Sequence, residues 1–130
     1  MIDHVAFNEV PYLTFLDVCH NKISEIFERS FQKALNLQTL SLGNNRIEKI
    51  APKAFEALMQ LRLLDLSYNK LKTFTLDIFG GNKFSGNKLR KLNLSGNKLI
   101  TLDSTLFAIL RNLISLNLSF VSKKLLRGRS

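Results

Sequence analysis

Cysteine is all but missing. Cys19 stands alone among 130 residues, so no internal disulfide framework can staple the chain. Two histidines beside one cysteine make a poor metal set, and neither metal nor cofactor is expected. Two prolines and six glycines exclude a collagen-like chain. A composition that is 45% hydrophobic and 22% charged excludes a disordered tail, which has far less apolar content. One folded domain is the default. No uncharged apolar run approaches the ~18 residues of a membrane span, because Arg111 interrupts the best stretch, Leu106 to Leu118. The opening Met1-Ile2-Asp3-His4 has no basic start followed by an apolar core, so no secretory signal is read there.

Carboxylates are scarce in the second half. Residues 1–60 carry six Lys/Arg against seven Asp/Glu, a net of −1; residues 61–130 carry thirteen against three, a net of +10, and the two sum to +9. Such asymmetry points to an acidic partner or a basic tail. The plainer account is that lysines keep turns soluble, since net charge speaks to association and not to fold.

What the chain does have is an internal repeat. Leu13-x-x-Leu16-x-Val18-x-x-Asn21-x-Ile23 is followed by Leu37-x-x-Leu40-x-Leu42-x-x-Asn45-x-Ile47. Then come Leu61-x-x-Leu64-x-Leu66-x-x-Asn69-x-Leu71 and Leu89-x-x-Leu92-x-Leu94-x-x-Asn97-x-Leu99. A fifth copy opens with Leu113, Leu116 and Leu118 and has Val121 where asparagine belongs. The starts at 13, 37, 61, 89 and 113 are spaced 24, 24, 28 and 24. An apolar residue fills the fourteenth slot (Ile26, Ile50, Phe74, Leu102), and phenylalanine the nineteenth (Phe31, Phe55, Phe79, Phe107). Running the register backwards places Ile2, Phe7 and Val10 in a half repeat. The organisation is thus a repeat domain over 1–119, with a half repeat 1–12, repeats 13–36, 37–60, 61–88 and 89–112, and a partial repeat 113–119. A basic tail, 120–130, follows.

Each slot has a physical role. In Leu-x-Leu, alternate residues point to opposite faces, which puts the leucines inside. Stacked coils then pair one short strand each into a parallel sheet, expected near 15–18, 39–42, 63–66, 91–94 and 115–118. The asparagines are expected to turn inward and bond backbone groups of their own and neighbouring coils. The phenylalanines are expected to stack as a convex spine. The four extra residues lie between Phe79 and Leu89, in Gly-Gly-Asn-Lys-Phe-Ser-Gly-Asn-Lys. They read as an extruded loop whose removal, Gly80 to Lys83, is tolerated. A rival register, in which Ser85-Gly-Asn-Lys-Leu89 mimics Ser95-Gly-Asn-Lys-Leu99, is set aside because it deprives the fourth copy of its leading leucine.

The period and these slots resemble extracellular leucine-rich repeat proteins of the typical 24-residue class, such as Toll-type ectodomains, chaoptin and the mosquito complement-like factors. The resemblance covers about residues 2 to 119. It implies an α/β leucine-rich repeat solenoid, curved, with a parallel sheet on the concave face and irregular or short helical return segments. It also implies a non-enzymatic module that binds a protein or other ligand on the concave sheet, in innate immune recognition or cell adhesion outside the cell. The usual leader and cysteine-rich caps are not seen in this stretch. An intracellular repeat scaffold is therefore one alternative, and nucleic-acid or other polyanion binding through the basic half is another.

Outward residues of the sheet are the candidate ligand contacts: Phe15, Asp17, His20, Gln38, Asn44, Arg62, Asp65, Tyr68, Arg90, Lys91 and Asn93. Exposed aromatics and arginines are the usual anchors among such residues. Lys49, Lys53 and Arg111 are assigned to the return segments, away from that face. Asp17, Cys19 and His20 invite a nucleophile reading, but adjacent strand side chains diverge and no oxyanion donors are identifiable. No enzyme is expected. Asn93-Leu-Ser95 and Asn117-Leu-Ser119 match the glycosylation acceptor pattern, partly because the repeat itself produces it. For nucleic acid, Lys83, Lys88, Arg90, Lys91 and Lys98 supply charge, with only Phe84 and Phe120 nearby to stack bases. Coils without polar caps leave apolar surface open, so self-association through the ends is expected.

Overall fold

The computed structural model describes residues 11–121. The half repeat with Ile2, Phe7 and Val10, and residues 122–130 of the basic tail, lie outside the described residues. Five short strands form one parallel sheet: β1 (Phe15–Asp17), β3 (Thr39–Ser41), β5 (Leu63–Asp65), β6 (Lys91–Asn93) and β7 (Ser115–Asn117). Between them, β2 (Glu25–Ile26) and β4 (Lys49–Ile50) make a second, two-stranded parallel sheet on the return side. The main strands pair in sequence order, with Leu16, Leu40, Leu64, Leu92 and Leu116 in register. All five fall within the segments that the repeat predicts, and the solenoid is the expected one.

Alternation explains the strand burial. Leu40, Leu42, Leu64, Leu66, Leu92 and Leu94 are at most 1% exposed, and each such leucine contributes roughly 1.5–3 kcal/mol of transfer free energy. Leu116 is 37% exposed, because no described coil covers it. An open apolar edge was expected at that end.

Inward asparagines bridge the coils. The Asn69 amide donates to the Leu66 and Ser67 carbonyls of its own coil at 3.0 and 3.2 Å, and to Leu42 of the preceding coil at 3.0 Å. Its oxygen accepts the Ile47 N–H at 3.0 Å. Asn45 and Asn97 repeat the scheme, reaching back to Val18 and Leu66 and accepting from Ile23 and Leu71. Buried peptide groups at the turn are thereby satisfied in a place where no strand can pair them.

On the convex side Phe31, Phe55 and Phe79 stack with ring centroids 5.9 and 5.8 Å apart. The fourth member differs from the expectation. Phe84, an insertion residue, is fully buried and stacks on Phe79 at 4.5 Å, while Phe107 is only part-buried. The insertion is therefore not extruded. It coils into consecutive 3-10 turns, Leu76–Phe79 and Gly81–Gly86, joined by Gly80 in the left-handed region at φ 85°. Asn87 is 2% exposed and donates to the Phe84 and Ile109 carbonyls at 2.6 and 3.1 Å. The last return segment holds the one α-helix among the described residues, α1 (Ser104–Ile109), capped by Asp103. The Thr105 hydroxyl, which has the largest effect, and the peptide N–H groups of Leu76, Thr105 and Leu106 hold the Asp103 carboxyl below its usual range.

Burial of Phe84 reverses the expectation for the insertion. Phe84→Ala should cost about 3–5 kcal/mol, as large-to-small core changes of this kind do. Deleting Gly80 to Lys83 restores the 24-residue spacing, yet should also lower the urea midpoint, because it drags Phe84 out of the core. A deletion variant that melts at the unaltered midpoint would show that the segment is dispensable.

Candidate functional site

The register places the outward residues in columns. One column runs Phe15, Thr39, Leu63, Lys91, Ser115 and another Asp17, Ser41, Asp65, Asn93, Asn117, with roughly 4.8 Å between neighbouring strands. Gln38, Arg62 and Arg90 form a third, just ahead of the strands. There the Arg62 carbonyl accepts the Arg90 and Lys91 N–H groups at 2.9 and 3.0 Å. Phe15, Arg62, Arg90 and Lys91 are exposed, as are Asp17, His20, Gln38 and Asn44.

The Asp/Asn column is partly committed to its own turns. Asp17 Oδ1 accepts the Cys19 N–H at 3.0 Å, and Asp65 Oδ1 accepts the Ser67 N–H at 2.8 Å. Asn93 accepts both the N–H and the hydroxyl of Ser95, at 3.0 and 2.7 Å, and Asn117 does the same with Ser119 at 2.9 and 2.7 Å. These oxygens hold the strand ends first and meet a ligand second. Of the two acceptor asparagines, Asn93 is part-buried and Asn117 exposed.

A feature that the sequence reading missed lies one turn further. His20, Asn44, Tyr68, Gly96 and Phe120 all adopt positive φ, between 54° and 71°. Asparagine and glycine visit this region readily; for bulky Tyr68 and Phe120 it is strained. All five coils make this turn, four of them ahead of an asparagine and the last ahead of Val121, and three make it with a ring. Tyr68 is 48% exposed and Phe120 77% exposed. The Tyr68 ring lies across Gly96, where a Cβ would come within 2.4 Å of Cδ1. Only the missing side chain of Gly96 leaves room for that ring.

One leucine-rich repeat family model matches residues 11–71 and again 35–83, and a second leucine-rich repeat model matches residues 88–110. The chain belongs to the leucine-rich repeat family. No curated protein matches it. Among solved structures it is similar to TLR13 in the crystal structure of a TLR13–ssRNA13 complex, at 29% identity, with a TM-score of 0.73 over 93% of this chain. It spans 21% of the length of that TLR13 chain. Among the described residues no helix of this repeat domain is long and apolar enough to cross a membrane.

Cys19 is part-buried on the concave side of the first repeat. Desolvation, with the neighbouring Asp17 carboxylate, pushes its thiol up to about 11. The reciprocal contact, led by the Cys19 N–H, holds the Asp17 carboxyl below its usual range. A nucleophilic cysteine needs the opposite shift, toward the thiolate. Alkylation of Cys19 by iodoacetamide should therefore stay slow through pH 9 and rise only as pH approaches 11. A fast reaction at neutral pH would show an activated thiol.

Gly96→Ala combines a strained φ with a blocked ring. It should cost about 1–3 kcal/mol and swing Tyr68 out of its seat. The melting temperature and a Tyr68-sensitive spectrum of the aromatic protons check both effects.

Proposed function

We propose that this repeat domain is a non-enzymatic recognition module of the extracellular, typical 24-residue class, serving innate immune recognition, with the concave sheet as the ligand face. The observation that carries this reading is the set of outward columns bearing Phe15, Arg62, Tyr68, Arg90 and Lys91 on a rigid, register-locked sheet. Likeness to TLR13 supports the immune role. Placement outside the cell and a protein partner with an acidic surface complete the proposal; Asn117, the exposed acceptor asparagine, is then the better glycosylation site. A second reading, nucleic-acid binding, is favoured by the single-stranded RNA in the TLR13 complex and by the excess of cations here.

Charge reversal separates the faces. With a glutamate-rich polypeptide as probe, reversing Arg62, Arg90 and Lys91 together should weaken binding at least about tenfold, the scale of lost charge-assisted contacts. Reversing Lys49 and Lys53 on the return side should leave it nearly unchanged. Arg111, which the sequence reading assigned with that return-side pair, cannot serve as a control, because it lines a cavity with Arg62 and Arg90. Equal losses from both sets would mean diffuse electrostatics and would remove the concave face. Tighter binding of single-stranded RNA, with a steep salt dependence, would select the second reading.

A further inference from the structure

Beside the sheet, where the return segments rejoin the strands, lies an open cavity of about 500 Å3 lined by Arg62, Lys88, Arg90, Arg111, Asn112 and Ile114. Four cations line it and no carboxylate does. From residue 78 to residue 121 the sole carboxylate is Asp103, and it is occupied with the Thr105 and Leu76 N–H groups. None of the four cations forms an ion pair with a described residue.

The sheet fixes where Arg62 and Arg90 start, and side-chain hydrogen bonds hold Lys88 and Arg111. Arg62 and Arg90 stand one strand apart, since the Arg62 carbonyl takes the Arg90 N–H and the Arg90 carbonyl takes the Ile114 and Ser115 N–H groups at 2.8 and 3.1 Å. Lys88 Nζ donates to Gln60 Oε1 at 2.9 Å. Arg111 Nε donates to the Ala108 carbonyl at 3.4 Å, which leaves both terminal NH2 groups of its fork for another acceptor. The corresponding positions in the first two coils are uncharged: Thr14, Gln38, Leu35, Asn36, Met59 and Gln60. The repeat pattern does not demand cations here, and lysines that merely solubilised turns would be interspersed with acids.

We propose that this cavity binds a compact phosphate group carrying two or more negative charges, a diphosphate or a phosphate monoester, free or at the end of a larger molecule. Gathered guanidinium groups repel one another until an anion sits between them. A single carboxylate neutralises one of four charges, whereas a phosphate group offers several oxygens to the arginine forks and more charge in the same volume. Ile114, 66% exposed at the rim, offers apolar contact to whatever the phosphate is attached to. The proposal extends the concave-sheet reading and shares Arg62 and Arg90 with it. Lys88 and Arg111 lie off the concave columns, so variants there separate the two.

Calorimetric titration of the whole chain with inorganic pyrophosphate tests it. Saturable one-site binding is expected, weakened about tenfold by R111A and by K88A, the scale of one lost charged hydrogen bond, and unchanged by K98A. A nucleoside diphosphate that binds more tightly than pyrophosphate supports a phosphate borne on a larger molecule; the reverse order supports a free one. Equal losses from R111A and K98A would overturn the site, as would a glutamate-rich peptide that outcompetes pyrophosphate. Intact pyrophosphate binding in R111A would remove the cavity and leave the concave-sheet reading standing.

Discussion

The structure depends on the amide of one asparagine per coil. A strand that turns sharply out of a sheet leaves peptide groups that no neighbouring strand can pair, and buried unpaired groups cost about 1–3 kcal/mol each. Asn45, Asn69 and Asn97 each cover several of them in two successive coils. Because the partners belong to both coils, the bond that satisfies the turn also sets the spacing and register between coils. Sheet pairing, the leucine layers and the phenylalanine stack then fall into line with that register.

The same constraint shapes the surface that meets a ligand. The residue ahead of each repeat asparagine crosses into the left-handed region, at His20, Asn44, Tyr68 and Gly96. Where that residue is glycine, as at Gly96, the coil offers a floor; where it is tyrosine, as at Tyr68, the ring is set down on the floor of the next coil. The rim of the concave face is thus built from backbone strain that the asparagine ladder sustains. Strain of this kind persists only where the surroundings over-determine it.

Much of the fold was legible because its period is explicit. Leucines two apart dictate a strand with one buried face, and asparagine at a constant offset dictates the turn, so all five strands stand where the spacing put them. The insertion was less legible. Gly80 and Gly81 do supply positive φ, but the turns they permit coil Phe84 inward, because an aromatic ring beside the exposed end of the Phe79 stack gains more from burial than from water. The discarded register held a local truth: the Asn87 amide donates to the carbonyl three residues back, as Asn45, Asn69 and Asn97 do. At Asn87 that bond closes a 3-10 turn, with no strand ahead of it and without the positive φ that precedes Asn45, Asn69 and Asn97. The column of rings at positive φ had only an indirect signal: Asn44 and Gly96 share its slot, and these residue types visit that region readily.

Charge follows a different rule from fold, and this is why the slot of Arg111, on the return segment as expected, does not by itself say what its side chain meets. Slots with structural duties repeat every coil, so their residues can be placed by counting; charged side chains occupy the slots left over, and long ones reach past the column their Cα belongs to. Arg111 starts on the return segment and ends beside Arg62 and Arg90 from two other coils. Like charges on neighbouring strands are destabilising, and the first two coils show that the solenoid closes without them. The later coils accumulate cations around this cavity, and from residue 78 to residue 121 their sole carboxylate, Asp103, is spent on a helix cap. A scaffold locked by its asparagines and phenylalanines can hold this repulsion in place, and an anionic ligand is what turns it into binding energy.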